Sequence, residues 1–407
     1  MTRLLLFTNE YPYRTGDVVF VQKEIDDLVA LFDDVVVFCH ARDTSAGMVE
    51  LPDGVRYGGN LFEPAPEDAP RRLLEWGPAW LFLVAAWEEL RSGRLFRHPV
   101  LFVLSSKVGI TQAHRTAVRE AIAGADDVVA YGFWAMGGGL GVPWLRGIRA
   151  RVTRTHGYDL YEERMSSGYL PFRPFMYRRA DRVLTISEDG SQYLRRNYRQ
   201  SRGKIALSRL GVYGPERAPR HPSNPFWTIV SCSSVSELKR VGLILEAVCL
   251  LSDLEGARPV RWVHFGGGPL LAEIQEAVRG APEGVTIELR GHVDNADVLD
   301  FYARERVDVF VNASTTEGVP VSIMEAISYG IPTVATAVGG TPEIVGPQLR
   351  TGELLGADPS PKEIAESLLA VLNADEGTYT PRELWEREYD ARRTGAYAAG
   401  LVSTAGR

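Results

Sequence analysis

Lysine, cysteine and long apolar runs are scarce in this 407-residue chain, and each shortage excludes something. Only five of the 45 basic residues are lysines, a bias typical of a GC-rich bacterial genome. The three cysteines form no CxxC pair, which argues against a disulfide framework and favours a reducing compartment. The longest apolar run, residues 79–87, has nine residues, whereas a membrane-spanning helix needs about twenty. Because the amino terminus also resembles a buried strand more than a signal peptide, we expect a cytoplasmic protein.

Positive charge is also in deficit, because 52 acidic residues outnumber 45 basic ones and give a formal net charge of −7. A chain with this balance lacks the basic excess that neutralises phosphates, so we expect no nucleic-acid partner. The hydrophobic share of 45% and the charged share of 24% are typical of a folded globular protein. Since single cores stop growing at roughly 250–300 residues, this length predicts two domains.

Short apolar strands alternate with amphipathic stretches, which predicts α/β domains with parallel sheets. The predicted strands are residues 4–7, 35–38, 128–131, 150–153, 182–186, 227–231, 261–265, 285–289, 308–311 and 333–335. Four prolines within residues 213–226 indicate a linker. The first domain is therefore expected at residues 1–212 and the second at residues 227–382.

Residues 71–107 depart from this alternation, because they are rich in aromatic residues that include Trp76, Trp80, Trp87 and Phe96. The stretch predicts one or two helices inserted into the first domain. Such helices either pack on the core or form a surface for a lipid or an apolar acceptor. In the second case the stretch is a candidate for peripheral contact with the inner face of a membrane.

The most informative segment begins at Glu317 and reads Glu-Gly-Val-Pro-Val-Ser-Ile-Met-Glu-Ala. Pro320 suits the first turn of a helix, where its missing N–H is not needed. The free N–H groups of Val321 and Ser322 would then form an anion site suited to a diphosphate. Glu317 and Glu325 flank this helix start, and carboxylates accept hydrogen bonds from the vicinal hydroxyls of sugars.

This segment resembles the retaining glycosyltransferases of family 4, whose E-x7-E motif matches Glu317 and Glu325. The surrounding pattern Glu-Gly-x-Pro-x-x-x-x-Glu-Ala-x-x-x-Gly-x-Pro also matches. The resemblance implies the GT-B fold: two Rossmann-like parallel-sheet domains facing a central cleft, with a helix at residues 383–407 packing back on the first domain. It also implies a retaining, metal-independent transfer from a nucleotide-diphosphate sugar, with a UDP-sugar favoured, to a saccharide, lipid-linked or small-molecule acceptor.

In the second domain, the resemblance implies a donor site with Lys239 and Glu317 as catalytic residues. Lys239 would hold the diphosphate, Glu317 the hydroxyls of the donor sugar and Glu325 those of the ribose. Ser234 stands at the position where the family has an arginine. Arg240 would supply the positive charge that this serine lacks. The other implied donor-binding residues are Gly267, Gly268, His292, Gly318, Val319, Pro320, Val321 and Ser322. The alternatives are a surface role for Lys239, a packing turn for the glycines and a rim position for His292.

In the first domain, the resemblance implies that His156 lies beside the transferred sugar as a third catalytic residue. Tyr13 and Asp159 are candidates for the acceptor side, although Asp159 would also suit a loop-capping role. Gly16 lies in the loop after the first strand and would let the backbone approach the donor closely.

No cofactor or metal is expected beside the nucleotide sugar, because the seven histidines are dispersed and no DxD-type metal site stands in a suitable loop. Two alternatives remain: a non-hydrolysing nucleotide-sugar epimerase of the same fold, and a non-catalytic nucleotide-sugar-binding protein, which the change to Ser234 favours. A dehydrogenase is disfavoured, since Leu271 occupies the sixth position of the dinucleotide fingerprint. The sequence predicts neither the oligomeric state nor the donor sugar.

Overall fold

The computed structural model describes residues 1–63, 76–254 and 256–407, which form two compact units. The first unit is Met1–Leu210 together with Arg392–Arg407, and the second is Gly211–Ala391. Residues 213–226, the predicted linker, thus fall within the second unit. The carboxy-terminal return to the first unit begins at Arg392 and not at residue 383.

The strands of both units follow the predicted alternation closely. They are β1 Thr2–Phe7, β2 Asp34–Cys39, β3 Val55–Asn60, β4 Asp127–Gly132, β5 Ala150–Thr155, β6 Arg182–Thr185, β7 Ile205–Leu207, β8 Trp227–Cys232, β9 Val260–Phe265, β10 Val285–Leu289, β11 Val309–Asn312, β12 Thr333–Thr336 and β13 Gly352–Leu355. All ten predicted strands are confirmed. The sequence did not reveal β3, β7 and β13, which lie at sheet edges: β7 has only three residues, and β3 and β13 contain glycine and charged residues.

The helices cover the two sheets. They are α1 Val18–Val21, α2 Ile25–Val29, α3 Trp76–Arg91, α4 Arg94–Arg97, α5 Pro99–His114, α6 Thr116–Ala123, α7 Arg173–Arg179, α8 Glu188–Asn197, α9 Val241–Leu251, α10 Leu271–Ala277, α11 Asn295–Arg304, α12 Val321–Ser328, α13 Pro361–Leu372, α14 Pro381–Leu384 and α15 Ala391–Ser403. Shorter 3₁₀-helical turns include Gly137–Trp144 and Glu237–Lys239, and Trp385–Tyr389 forms a π-helical turn. No helix within the described ranges is both long and apolar enough to cross a membrane.

Both sheets have the doubly wound strand order. Within the described residues, the first sheet runs β3-β2-β1-β4-β5-β6-β7 and the second β10-β9-β8-β11-β12-β13, with every neighbouring pair parallel. The central strands are buried on both faces, so Leu4, Leu5 and Leu6 of β1 are all 0% exposed. The prediction of α/β domains with parallel sheets is therefore confirmed.

The last predicted helix is interrupted rather than continuous. The backbone around Asp390 leaves the helix to pair with Val212, whose N–H donates to the Tyr389 carbonyl at 2.9 Å. The Val212 carbonyl in turn accepts from the Ala391 N–H at 3.1 Å. These bonds replace the helical ones, so one predicted helix becomes α14, a π-helical turn and α15.

Candidate functional site

The second sheet reverses its strand order between β8 and β11, and open α/β sheets bind ligands at such a reversal, beyond the carboxyl ends of the strands. β8 leads through a short turn to Lys239, and β11 ends at Asn312. The Lys239 ammonium lies 2.5 Å from Glu317 Oε1 in an ion pair. Asn312 Nδ2 donates to the same oxygen at 3.3 Å. Two of the predicted catalytic residues, Lys239 and Glu317, thus meet at the reversal.

Glu325 lies one turn inside α12, and its side chain is largely buried, with 6% exposure. Asn295, the first residue of α11, donates from Nδ2 to Glu325 Oε1 at 3.0 Å. A buried carboxylate needs such partners, because burial removes its hydration. The Glu325 carboxylate also affects the ionisation of Cys232, at the end of β8. Burial raises the pKa of the Cys232 thiol to about 12, and the negative charge of Glu325 adds to this effect.

The helix start that was predicted as an anion site is present, one residue later than expected. Pro320 precedes α12 in an extended conformation, with φ −74° and ψ 109°, so the first helical residue is Val321. The N–H groups of Val321 and Ser322 therefore have no carbonyl partner inside the helix. Both residues are half-buried.

The loop before α12 is anchored at its glycine. The Gly318 carbonyl accepts from the Gly340 N–H at 2.8 Å, and the Val319 side chain is buried. This hydrogen bond and the buried Val319 fix the loop to the unit, while Gly318 itself remains half-exposed.

The glycine turn after β9 packs against the loop after β8. A Cβ on Gly266, where φ is +145°, would lie 1.8 Å from the Ser233 carbonyl oxygen. At Gly268 it would lie 2.4 Å from the Val235 carbonyl oxygen. The Gly267 carbonyl accepts from the Val235 N–H at 2.9 Å. Gly266 and Gly268 thus pack the turn against the loop after β8, while a donor-binding role for Gly267 and Gly268 stays a prediction.

His292 and Ser234 lie at the outer edge of the same loop cluster. The Gly266 N–H donates to the Gly291 carbonyl at 2.8 Å, which brings the loop after β10 against the turn after β9. His292 is exposed, in keeping with the rim position. Ser234 is exposed as well, with its hydroxyl 3.3 Å from that of Ser236.

Arg240 takes a different place from the one predicted. It has a left-handed backbone, φ 48°, and its guanidinium donates to the Ala313 carbonyl at 2.6 Å and the Ala357 carbonyl at 2.8 Å. A third nitrogen donates to Asp358 at 2.9 Å. Because all three nitrogens are engaged, Arg240 positions the loop after β11 instead of replacing the family arginine at a diphosphate.

The first sheet reverses its order between β1 and β4, and the loops there are joined by Asp17. The buried Asp17 carboxylate accepts from the N–H groups of Asn9 at 2.8 Å, Glu10 at 3.0 Å and Tyr11 at 2.5 Å. It also accepts from the Trp134 indole at 2.9 Å. Sequence reasoning missed Asp17, although an acidic residue in the loop after a strand was the available signal.

His156 follows β5, and its ring lies against the Trp134 ring with 3.8 Å between centroids. Its backbone N–H donates to Asp159 Oδ1 at 2.6 Å, and its Nδ1 lies 3.6 Å from Asp159 Oδ2. Burial lowers the pKa of His156, and the adjacent Asp159 only partly opposes this. The imidazole is therefore neutral near neutral pH. Neither ring nitrogen has a hydrogen-bond partner among the described residues.

The two acceptor-side candidates, Tyr13 and Asp159, are both buried. Asp159 is 0% exposed and accepts from the Ala135 N–H at 2.8 Å in addition to His156. It therefore has the loop-capping role, because neither oxygen faces solvent. The Tyr13 hydroxyl lies 3.2 Å from that of Tyr57, so the side chain points into the β2–β3 side of the unit.

A run of glycines after β4 was overlooked in the sequence, although three consecutive glycines beyond a strand are a clear signal. A Cβ on Gly139 would lie 1.8 Å from the Trp134 carbonyl oxygen, so the chain turns back on itself there. Gly16, the predicted glycine, precedes Asp17 with φ +50°. The loops after β1 and β4 touch at Gly138, where a Cβ would lie 2.1 Å from the Thr8 carbonyl oxygen. Across residues 1–63, 76–254 and 256–407, no group of three or more His, Cys, Asp or Glu side chains is arranged to hold a metal ion.

Solved structures identify the fold. A sucrose-phosphate synthase from Thermosynechococcus elongatus aligns over 98% of each chain with a TM-score of 0.65 and 16% identity. HepE from Anabaena, solved in complex with UDP, aligns over 99% of this chain and 100% of its own with a TM-score of 0.64 and 15% identity. The protein has the GT-B fold, as the sequence predicted. At these identities the likeness extends to the fold alone.

The sequence comparisons concern the second unit most directly. Residues 227–374 match the family model described as glycosyl transferases group 1. Over 270 residues the chain is 28% identical to WcaL of Escherichia coli K12, a putative colanic acid biosynthesis glycosyltransferase. This alignment covers 63% of the chain and 64% of the relative, which is less than two thirds of the relative's length. The resemblance to glycosyltransferases is thereby confirmed.

Proposed function

We propose that this protein is a retaining glycosyltransferase of family 4 that uses a nucleotide-diphosphate sugar, with a UDP-sugar favoured, as its donor. The observation that carries the proposal is the Lys239–Glu317 ion pair beside the start of α12. It lies within the residues that match the group 1 family. HepE was solved with UDP bound, and WcaL is described as a glycosyltransferase of colanic acid biosynthesis, which supports both halves of the proposal.

The Lys239–Glu317 ion pair keeps both charged groups of the proposed donor site paired until the donor binds. Lys239 and Glu317 neutralise each other in the free protein, and their side chains remain 25% and 10% exposed. A bound diphosphate draws the ammonium away from Glu317. The freed carboxylate then accepts hydrogen bonds from the hydroxyls of the donor sugar, and Glu325 accepts them from the ribose.

The chemical step needs positive charge where the leaving diphosphate gains negative charge. Lys239 and the N–H groups of Val321 and Ser322 supply it, so we propose that transfer requires no metal. The acceptor hydroxyl attacks the anomeric carbon from the face that the diphosphate leaves, and its proton passes to the diphosphate. This route retains the anomeric configuration without the second carboxylate that a covalent retaining mechanism uses as its nucleophile.

The first unit is proposed to take the acceptor, which is a saccharide, a lipid-linked saccharide or a small molecule. His156 is neutral, and neither ring nitrogen has a hydrogen-bond partner in the described part of the chain, so it suits a hydrogen bond to a sugar hydroxyl. Trp134 lies against one face of its ring and fixes its orientation. Asp159 positions this histidine through its backbone and ring contacts.

Donor screening followed by product analysis tests the proposal. Thermal shifts with UDP-, GDP-, ADP- and dTDP-sugars identify the donor, because binding to the native state raises Tm. With that donor, Glu317→Gln should abolish most sugar transfer. Glu366→Gln is the matched control, because Glu366 forms an exposed pair with Lys362 in the same unit. Transfer that is unchanged in Glu317→Gln contradicts the donor-site assignment.

Three further outcomes separate the alternatives. An inverted anomer in the NMR spectrum of the product rules out retention. Loss of activity in EDTA that magnesium restores rules out metal-independent transfer. Conversion of the nucleotide sugar to its epimer without any acceptor identifies an epimerase of the same fold.

A further inference from the structure

The helices α3, α4 and α5 of the first unit carry large apolar side chains that point into solvent. Six of them are more than half exposed, and we call them the apolar face: Trp80 (66%), Leu83 (60%), Trp87 (56%), Phe96 (78%), Val100 (67%) and Leu104 (55%). Isolated exposed apolar side chains are common in proteins, whereas a contiguous group of them marks an interaction site.

The helices pack against the rest of the unit through their other sides, which leaves the apolar face exposed. Phe82 of α3 lies against Phe102 of α5, with 5.4 Å between ring centroids. Ala85 and Phe102 are buried, and Gly109 of α5 lies so close to Trp144 that a Cβ there would be 2.4 Å from its indole nitrogen. The helices are therefore anchored without the apolar face.

Helical spacing sets the apolar face on one side of each long helix. Trp80, Leu83 and Trp87 are three, four and seven positions apart, which aligns them along α3. Val100 and Leu104 are one turn apart on α5. Consecutive helices α3, α4 and α5 contact one another in order, so the two stripes lie on packed neighbouring helices.

Among the described side chains of α3, α4 and α5, the exposed charges are all of one sign. In the described side chains of α3, α4 and α5, Arg91, Arg97 and Lys107 are exposed, while both carboxylates, Glu88 and Glu89, are buried. This local positive charge contrasts with the net charge of −7 for the whole chain. It complements an anionic surface.

A basic cavity of about 420 Å³ adjoins the apolar face at the end of α3. Its cationic lining residues are Arg91, Arg178, Arg199 and Lys204, and Glu88 is the carboxylate among them. Glu88 is paired with Arg178 at 2.7 Å, so the cavity keeps a positive excess. Arg91 lies one helical turn beyond Trp87, so the cavity borders the apolar face. The guanidinium groups that line the cavity could bind a lipid phosphate there.

We propose that the apolar face and this basic cavity form a docking surface for an anionic lipid membrane. The helices lie in the plane of the interface, the aromatic side chains enter it, and the cations bind lipid phosphates. A second copy of the chain fits less well. A symmetric contact through the apolar face would bring Arg91, Arg97 and Lys107 of one copy near the same cations of the other. The proposal does not depend on glycosyl transfer.

Vesicle sedimentation of the full chain tests the proposal. The protein should bind vesicles of phosphatidylcholine that contain roughly a third phosphatidylglycerol more tightly than pure phosphatidylcholine vesicles, and rising salt should weaken binding. The combined variant Trp80→Ser, Trp87→Ser, Phe96→Ser should lose at least about tenfold in affinity. Leu250→Ser with Tyr397→Ser is the matched control, since both side chains are exposed elsewhere, at 41% and 56%.

Removing the positive charges should distinguish the contribution of the cations to vesicle binding from that of the apolar side chains. Arg91→Gln, Arg97→Gln and Lys107→Gln together should reduce the preference for anionic vesicles by about fivefold for each charge removed. Quenching of tryptophan fluorescence by brominated lipids gives a second measurement on the unaltered protein, independent of whether the variants fold. Quenching is expected with anionic vesicles.

Several outcomes overturn the proposal. Failure of the unaltered protein to bind anionic vesicles does so directly, and so does equal binding by the apolar variant and the control. Binding of inorganic phosphate in the absence of vesicle binding assigns the cavity to a soluble anion. A dimer in solution that the apolar variant dissociates, without vesicle binding, assigns the apolar face to a second copy.

Discussion

The two units share a strand order but differ in what lies where that order reverses. In the second unit, the reversal between β8 and β11 holds Lys239 and Glu317, whose charges face each other across a half-open site. In the first unit, the reversal between β1 and β4 holds Asp17, whose carboxylate accepts four hydrogen bonds from the chain itself. The shared fold thus fixes where a site lies, and the loops decide its chemistry.

The difference in exposure separates exchangeable charges from structural ones. Asp17 is 4% exposed and its oxygens are occupied by backbone and indole donors. Lys239 is 25% exposed and pairs with a single carboxylate, so a ligand can take over its charge. We therefore expect substitution of Lys239 to impair turnover and substitution of Asp17 to impair folding.

The largest expected effect is on turnover in Lys239→Gln. Loss of one group that stabilises the leaving diphosphate should lower kcat about 10²–10³-fold, while Tm changes little because the pair is part-exposed. Steady-state kinetics and a thermal melt check both. Lys362→Gln is the control, since Lys362 pairs with Glu366 at 3.6 Å on an exposed helix face. A large fall in Tm with kcat intact would place Lys239 with the structural charges.

A pair of neighbouring glycines tests how firmly the donor loops are held. Gly266→Ala should lower the free energy of unfolding by about 3 kcal/mol, because φ is +145° and its Cβ would overlap the Ser233 carbonyl. Gly267→Ala should change it by less than about 0.5 kcal/mol, because the nearest atom is 3.5 Å from its Cβ. Urea unfolding measures both. Similar values for the two would mean that the loops relax around an added methyl group.

The first unit should respond to Asp17→Asn with a loss of about 2 kcal/mol in the free energy of unfolding. The substitution keeps the shape of the side chain but removes the charge that strengthens four hydrogen bonds. Asp43→Asn is the control, because Asp43 accepts a single backbone bond, from Ser45 at 2.9 Å, in an exposed loop. An equal response of the two variants to urea would show that Asp17 does not hold the loops.

The central strands, and the helix start with its flanking carboxylates, could be predicted from the sequence. Buried strands have continuous apolar runs, and the segment from Glu317 to Glu325 keeps its residues close along the chain. The sequence did not suffice for Arg240, whose partner Ala357 is distant in sequence. An arginine near a predicted phosphate site and an arginine that binds backbone carbonyls have the same local pattern. Only the tertiary contacts distinguish them.

The smallest expected effect is a pH dependence that compares one buried histidine from each unit. Burial lowers the pKa of His264 to about 4, below the value of about 6.5 for an unfolded chain. As the pH falls below about 6.5, the unfolded state takes up a proton that folded His264 does not, so stability present above that pH is lost. Between pH 6.5 and 5.5 this lowers the free energy of unfolding by about 1 kcal/mol.

His264→Gln should remove that dependence, and the difference between the variant and the unaltered protein cancels the titration of the carboxylates. Burial also lowers the pKa of His156, although the charge of Asp159 opposes it, so His156→Gln should flatten the pH profile as well. Urea unfolding at pH 6.5 and 5.5 measures both. A pH profile that is unchanged in His156→Gln would mean that the charge of Asp159 cancels the effect of burial on this histidine.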